Sequence, residues 1–136
     1  MEPITVDVTV KADIDAVWAA WVTPEDIEHW NAASDDWHTP RAEVDLREGG
    51  EFLFRMEAKD GSYGFDFRGM YQKIIPLRLI EYNMEDGRHV RIEFVPAADG
   101  VKVTETFDPE ETNPVPMQKK GWQSILNNFA KYVESR

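Results

Sequence analysis

The chain has 136 residues and a formal net charge of −11, from 26 acidic and 15 basic residues. The basic residues form no cluster. A phosphate backbone or an anionic lipid surface needs a basic patch, so this composition argues against nucleic acid and against membrane-surface binding. Cysteine is absent, which excludes disulfides, thiolate nucleophiles and cysteine-bound metals. With 42% hydrophobic residues the chain is able to bury a core, and its length predicts one domain over residues 1–136.

The first twelve residues predict a strand and carry no sign of a targeting segment. Ile4, Val6, Val8 and Val10 alternate with polar residues, a pattern typical of a half-buried strand. Residues 1–12 lack the basic start and the apolar run of a signal peptide. No segment of the chain approaches the roughly 18 apolar residues of a membrane helix. We therefore expect a cytoplasmic protein that does not insert into a membrane.

Two short helices are predicted to follow this strand. Residues 13–22 place apolar side chains at helical spacing behind Asp13, a residue type that suits the N-cap. Residues 24–30 predict a second helix, for which Thr23 is the expected N-cap and Asp26 occupies the capping-box position. We expect this pair of helices to close one end of the molecule.

A polar loop is predicted over residues 31–40, and it contains one large apolar side chain, Trp37. A tryptophan in a polar loop is either a lid over a cavity or an anchor that holds the loop in place. We expect this loop to act as a gate, with Trp37, Trp30 and Phe52 at the mouth of a cavity.

Six further strands are predicted between this loop and the C-terminal region. Hydrophobic and polar residues alternate within these segments, and turn residues such as Gly49-Gly50 and Asp86-Gly87 separate them. The expected strands cover residues 42–46, 51–58, 63–75, 78–85, 89–96 and 101–107. Because the turns between them are short, the strands are expected to form an antiparallel meander.

The last predicted element is a long amphipathic helix over residues 114–136. Its apolar stripe recurs at spacings of three and four residues and contains Val115, Gln118, Trp122, Ile125, Phe129 and Val133. A stripe this wide needs a broad concave partner, which the curved sheet can supply. We expect a cavity between the sheet and the helix.

Five strings of the chain resemble those of a known family in order and spacing. They are VWAAWVTPEDIEHW (17–30), GGEFLFRM (49–56), RGMYQKIIPLRLIEY (68–82), VKVTETF (101–107) and KKGWQSILNNFAKYV (119–133). They resemble the START-like superfamily of the birch pollen allergen (SRPBCC), in the branch of the activator of heat-shock-protein-90 ATPase homologues. The resemblance implies an α+β helix-grip fold: a curved antiparallel sheet of about seven strands wraps around a long C-terminal helix, with two short helices after the first strand.

A set of mostly aromatic residues is expected to line the cavity. A ligand pocket is usually apolar with a few placed polar groups, although aromatic residues also serve simply to fill a core. The expected ligand-binding residues are Trp30, Trp37, Phe52, Phe54, Phe65, Phe67, Tyr71, Tyr82, Phe94, Glu105, Gln118 and Trp122. In the same strands Asp66 and Arg68 alternate with Phe65 and Phe67, so we place the two charged residues on the convex, solvated face.

Glu105 is the strongest candidate for a polar group inside the cavity. It alternates with Val103 and Phe107, so all three are expected to point inward. A carboxylate there is costly unless it is paired, and its pKa is expected to rise. It is either a ligand anchor or general acid, or the partner of a basic side chain such as Arg55, Arg68, Lys73 or Arg91. Gln118 is expected to meet the ligand from the helix side, or else to pack near the helix end.

The remaining polar residues predict neither a metal site nor a catalytic nucleophile. His29 and His38, with nearby acids, lack a metal-ligand spacing and are expected to be exposed or to cap helix ends. No serine lies in a nucleophile elbow, and no glycine-rich loop is placed to hold phosphate. We therefore predict no catalytic residue, no metal and no cofactor.

The sequence thus favours a protein that binds a small apolar or amphipathic ligand between the sheet and the C-terminal helix. Two alternatives stay open. One is an enzyme that uses Glu105 in the same cavity, and the other is an interaction module associated with a chaperone. A homodimer is compatible with each of the three.

Overall fold

Residues 2–136 are described by a computed structural model, and they form seven strands and three helices. In chain order the elements are β1 (Ile4–Val10), α1 (Ile14–Val22), α2 (Pro24–Trp30), β2 (Trp37–Val44), β3 (Glu51–Ala58), β4 (Gly64–Ile75), β5 (Leu79–Met84), β6 (His89–Ala97), β7 (Gly100–Phe107) and α3 (Val115–Glu134). The predicted order of strand, two helices, six strands and helix is confirmed.

The seven strands form one antiparallel sheet in the order β1-β7-β6-β5-β4-β3-β2. Consecutive strands from β2 to β7 are neighbours, as the short turns predict, and β1 joins at the β7 edge. One row of paired residues crosses the sheet from Ile80 through Ile92 and Glu105 to Val6. All four are buried, so this row lies on the inner face. The predicted α+β fold class, with a curved sheet around the last helix, is confirmed.

The two short helices begin as predicted, but only one has a side-chain cap. Asp13 Oδ1 accepts a hydrogen bond from the Ala16 amide at 2.8 Å, which satisfies one free donor at the start of α1. Thr23 occupies the N-cap position of α2, but its side chain makes no capping hydrogen bond. Pro24 follows it at the first turn, where the missing N–H costs nothing.

The polar loop predicted over residues 31–40 is shorter than expected. β2 starts at Trp37, whose backbone pairs with Ala58 of β3, and His38 pairs with Glu57. A register shift between His38 and Arg41 accommodates Pro40 in this edge strand. Backbone pairing with β3 outweighs the polar composition of the segment, so the prediction of a loop is wrong for residues 37–40.

The long helix α3 packs mainly against β1 at one side of the sheet and also against α1 and α2. Phe129 and Val133 of the predicted stripe are buried, and so is Leu126 beside them. Val115 was predicted to belong to the stripe but is 43% exposed. None of the helices in residues 2–136 is long and apolar enough to cross a membrane.

Candidate functional site

An interior cavity of about 190 Å³ lies between the inner face of the sheet and α3. Its walls come from α1, α2, β3, β4, β5, β7 and α3, and they are mostly aromatic. The lining residues are Trp21, Trp30, Asn31, Phe52, Phe54, Met56, Phe65, Phe67, Tyr71, Ile80, Tyr82, Glu105, Trp122 and Ile125. An engineered cavity of about 150 Å³ binds benzene, so this space suits a single ring with a short substituent.

Most of the residues predicted from the sequence come together at this cavity. Those that line it are Trp30, Phe52, Phe54, Phe65, Phe67, Tyr71, Tyr82, Glu105 and Trp122. The aromatic rings are packed against one another, with centroids 4.9 Å apart for Phe52 and Phe54 and 4.7 Å apart for Phe52 and Tyr82. Asp66 pairs with Arg55 on the solvated side, at 3.3 Å, which agrees with the outward placement expected for Asp66.

Trp30 and Phe52 do not lie at the mouth of the cavity. Each is only 3% exposed, because they form its inner wall. The Trp30 indole N–H donates to the Ala20 carbonyl at 2.9 Å, and its ring packs on Trp21 and Phe129. Trp30 is the last residue of α2, as predicted, and its contacts with Trp21 of α1 and Phe129 of α3 bury it.

Trp37 also lies away from the interior. Its ring packs against Tyr63 and Phe65 at the end of the β2–β3–β4 ribbon, with centroids about 6 Å apart in both pairs. It borders a separate polar depression near α3 and is absent from the walls of the cavity. Trp37 is thus an anchor at the strand end rather than a lid, because β2 pairing fixes its backbone.

Phe94 and Gln118 were also predicted to line the cavity, and neither does. Phe94 is buried beneath α1, where Trp18 and Trp21 meet its ring edge-on. Gln118 accepts a hydrogen bond from the Glu110 amide at 2.9 Å and donates to the carbonyls of Glu110 and Asn113 at 3.0 and 2.7 Å. Its amide is fully used in holding the segment between β7 and α3, so packing near the helix end is the correct alternative.

Several lining residues were missed as site residues. Four of them lie on faces that the sequence pattern already predicts to be apolar: Trp21, Met56, Ile80 and Ile125. The pattern predicts that these side chains point inward, but it does not predict the open space beside them. Asn31 carries no such signal, because it follows α2 in a polar segment. It is 8% exposed and lines the cavity.

The Glu105 carboxyl is the one acidic group in the cavity wall, and it is 5% exposed. Burial raises its pKa from 4.5 to about 8, and no charged or hydrogen-bonding neighbour contributes to this shift. No fully enclosed side-chain oxygen or nitrogen in residues 2–136 lacks a partner, so the carboxyl oxygens border the open space. Near neutral pH the group is mostly protonated and uncharged.

Two tyrosine hydroxyls share this interior with Glu105. Burial raises the pKa of Tyr82 well above its usual value, and the nearby Glu105 charge adds to the rise. Burial likewise raises the pKa of Tyr71, and Asp45 adds to it. Both phenols therefore stay protonated at neutral pH and are able to donate hydrogen bonds.

Asn31 adds a polar group from the α2 side. Its Nδ2 donates to Thr39 Oγ1 at 3.2 Å, while Thr39 Oγ1 donates to the Asn31 carbonyl at 2.6 Å. This mutual arrangement holds the Asn31 side chain in place at the cavity wall. The interior thus has a carboxyl, two phenols and an amide among otherwise apolar walls.

An open groove of about 680 Å³ lies next to the cavity. Phe65, Phe67, Trp122 and Ile125 line both spaces and form the boundary between them. The outer part of the groove carries Asp66, Arg68, Glu85, Asp86, Arg88 and Glu110. Arg88 is held by Asp86 at 2.8 Å.

The histidines do not assemble a metal site. The His29 ring stacks on Tyr132 with centroids 5.7 Å apart, and His38 lies 3.8 Å from Glu57. His89 contacts Asn83 and Glu81 at 2.7 and 2.8 Å. Within residues 2–136, no group of three or more His, Cys, Asp or Glu side chains is arranged to hold a metal ion.

The chain matches a known protein family and resembles several solved structures. Residues 11–134 match the family described as Activator of Hsp90 ATPase homolog 1-like protein. The solution structure of an AHSA1-like protein from Aeromonas hydrophila is 44% identical, with a TM-score of 0.92, and the match covers 98% of this chain and 92% of that one. No curated protein matches the chain.

Two further structures extend the comparison. A protein from Cytophaga hutchinsonii is 50% identical with a TM-score of 0.85, and the match covers 98% of this chain and 92% of that one. A protein from Nitrosomonas europaea is 18% identical with a TM-score of 0.82, over 98% of this chain and 95% of that one. The last similarity concerns the fold alone.

Proposed function

We propose that this chain, which belongs to the family of activator of Hsp90 ATPase homolog 1-like proteins, binds a small molecule in its interior cavity. The ligand is mainly apolar, of the size of one ring with a short substituent, and it carries one polar group. Family membership alone names no ligand, so the proposal depends on the cavity and its lining.

The observation that carries the proposal is the unpaired Glu105 carboxyl facing the open space. Burying a polar group without a partner costs free energy, on the order of 1–3 kcal/mol by protein mutational data. A side chain that only fills the core has no need of a carboxyl. Val6 and Ile92, which pair with Glu105 on the two neighbouring strands, show that apolar residues fit on this inner row of the sheet. A ligand with a complementary group would recover this cost.

The apolar walls supply the rest of the binding free energy. Burial of apolar surface contributes about 25 cal/mol per Å², before the entropy lost by the ligand is subtracted. Phe52, Phe67 and Trp122 present large ring surfaces to the cavity. The Trp122 ring stacks on that of Phe107, with centroids 3.9 Å apart, which holds this wall rigid. A rigid wall lowers the ordering cost of binding.

The test is a titration with ethylbenzene and benzyl alcohol, followed by ligand-observed NMR. Ile80 lines the cavity, so Ile80→Trp should fill it and weaken binding by about tenfold or more. Val95→Trp, which adds the same ring at an exposed position, should leave binding unchanged. If neither probe binds saturably to the wild-type protein, or if Ile80→Trp binds as well as wild type, the proposal is wrong.

A stability comparison tests the cavity itself. Ile80 and Ile92 are paired neighbours on β5 and β6, but only Ile80 borders the open space. Overpacking a filled core costs typically 1–3 kcal/mol or more, whereas a side chain that enters a cavity costs less. Ile92→Trp is therefore expected to lower the free energy of unfolding more than Ile80→Trp does. Equal losses in urea denaturation would contradict an open cavity.

A further inference from the structure

We infer that the ligand is a small aromatic amine, bound as its ammonium ion against the carboxylate of Glu105. This inference rests on the proposed function and names the chemical class of ligand for the same cavity. It depends on three features: the lack of an internal partner for Glu105, the aromatic walls and the acidic charge around the mouth.

Glu105 lacks a cationic partner inside the protein. None of the cavity-lining residues among residues 2–136 is Lys, Arg or His. Of the four basic residues that the sequence offered as partners, Arg55 binds Glu57 and Asp66, and Arg91 binds Glu81. The other two, Arg68 and Lys73, do not line the cavity. A positive charge opposite the Glu105 carboxylate would therefore come from the ligand.

The walls around this carboxyl suit a cation better than an anion. Aromatic rings carry negative charge on their faces, and they attract ammonium groups most strongly when water is excluded. Trp21, Trp30, Phe52 and Trp122 surround the space. An anionic ligand would meet these faces and the Glu105 carboxyl with no cationic side chain to compensate.

The approach to the cavity is also more acidic than basic. Asp66, Glu85, Asp86 and Glu110 border the outer groove with Arg68 and Arg88, in a chain with a net charge of −11. Two of these acids are already paired with arginines, Asp66 with Arg55 and Asp86 with Arg88. The remaining excess of negative charge raises the local concentration of cations at the mouth.

Binding of the ammonium ion is expected to release a proton. Glu105 is mostly protonated in the empty cavity, since burial raises its pKa to about 8. The incoming ammonium keeps its own proton, Glu105 loses one to solvent, and the products are a buried ion pair and one free proton. Affinity should thus rise with pH toward about 8, and it should fall above the pKa of the amine.

The other groups near Glu105 do not produce this pH dependence. Tyr82 from β5 and Tyr71 from β4 stay neutral because burial raises the pKa of both. Arg88, at the β5–β6 turn, acts on Tyr82 but does not contribute to the pKa shift of Glu105. The paired residues from β1 and β6, and the residues that α3 contributes to the cavity, are not ionisable.

The test compares benzylamine, benzyl alcohol and benzoate, which share one ring and differ in charge. By isothermal titration calorimetry near pH 8, benzylamine should bind about tenfold or more tightly than benzyl alcohol, and benzoate most weakly. Glu105→Gln should reduce the amine-to-alcohol ratio to about one, whereas Glu51→Gln, an exposed control, should preserve it. Titration at pH 7 in two buffers should show that amine binding releases a proton.

The outcomes separate this inference from the proposed function. If benzyl alcohol binds as tightly as benzylamine, or if Glu105→Gln leaves their ratio unchanged, the amine inference is overturned and the cavity proposal stands. If none of the three probes binds, the cavity proposal fails as well. If Glu105→Gln does not fold, the wild-type ratio decides: it must increase from pH 6 to 8, and a constant ratio overturns the inference.

Discussion

Glu105 shows how a single residue is placed by a short-range pattern and altered by long-range packing. Its alternation with Val103 and Phe107 in β7 predicts that it points inward, and all three are buried. The rise of its pKa comes from burial beneath side chains distant in sequence. The residue is therefore a carboxyl held in its uncharged form at neutral pH.

The first prediction concerns the pH dependence of stability. The Glu105 pKa is 4.5 in the unfolded chain and about 8 in the folded protein, so the folded state binds more protons between these values. The free energy of unfolding should fall as pH rises through this window, by on the order of 5 kcal/mol from this group. The stability is fully present below pH 4.5, and no further loss from Glu105 occurs above its folded pKa.

Glu105→Gln removes this titration and should be measured by urea denaturation across the same window. The difference in free energy of unfolding between the variant and wild type should shift in favour of the variant as pH rises. Glu51→Gln, at an exposed position, should follow wild type throughout. A Glu105→Gln difference that stays constant with pH would contradict an uncharged buried carboxyl.

At the scale of single elements, α1 and α2 show that a capping position and a capping bond are different things. Both helices begin after a residue of a good N-cap type, and both N-cap residues adopt an extended backbone. Only Asp13 accepts a backbone hydrogen bond. The Thr23 side chain makes none.

The second prediction follows from this contrast. Asp13→Ala should lower the free energy of unfolding by about 1 kcal/mol, since an amide donor at the start of α1 loses its acceptor. Thr23→Ala should cost less than about 0.5 kcal/mol, because no capping bond is lost. Thermal denaturation of both variants gives the comparison, and an equal loss would show that Thr23 does cap its helix.

The strand β2 makes the same point for sheet elements. Its first half, residues 37–40, contains a proline and no alternating apolar residues, so the local pattern favours a loop there, whereas residues 42–44 were predicted as a strand. Pairing with β3 and packing against α2 nevertheless make it the edge strand. Thr39, buried within it, holds Asn31 at the cavity.

At the scale of the whole molecule, the end of α3 is tied to α2 by a polar cluster. Asp26 accepts hydrogen bonds from the Tyr132 hydroxyl and the Arg136 guanidinium. Asn128 adds a hydrogen bond to the Trp30 carbonyl at 2.8 Å. These contacts join residues about 100 positions apart and hold α3 against the wall that contains Trp30.

The third prediction tests this connection. Asp26→Ala leaves the Tyr132 hydroxyl and the Arg136 side chain without their acceptor and should lower the free energy of unfolding by about 1–3 kcal/mol. Glu25→Ala, one residue earlier in the same helical turn and exposed, should change it by less than about 0.5 kcal/mol. Urea denaturation measures both, and similar effects would mean that the cluster adds no stability.

The sequence by itself determined the order of the elements, the antiparallel meander and the burial of Glu105. These features depend on periodicity and turn residues, which act over a few positions. The family resemblance, confirmed by the match over residues 11–134, added the wrapping of the sheet around α3.

Only the tertiary structure decided which inward residues face open space. Phe52 and Phe94 show the same alternation in their strands, but α1 covers Phe94, whereas Phe52 borders the cavity. Gln118 lies on the buried stripe as predicted, but the chain before α3 occupies its amide. The physical reason is that hydrophobic periodicity, which predicts the buried face, is a property of a single element, whereas a cavity is the space left between elements. That space depends on where α3 crosses the sheet, and contacts between distant residues fix that crossing.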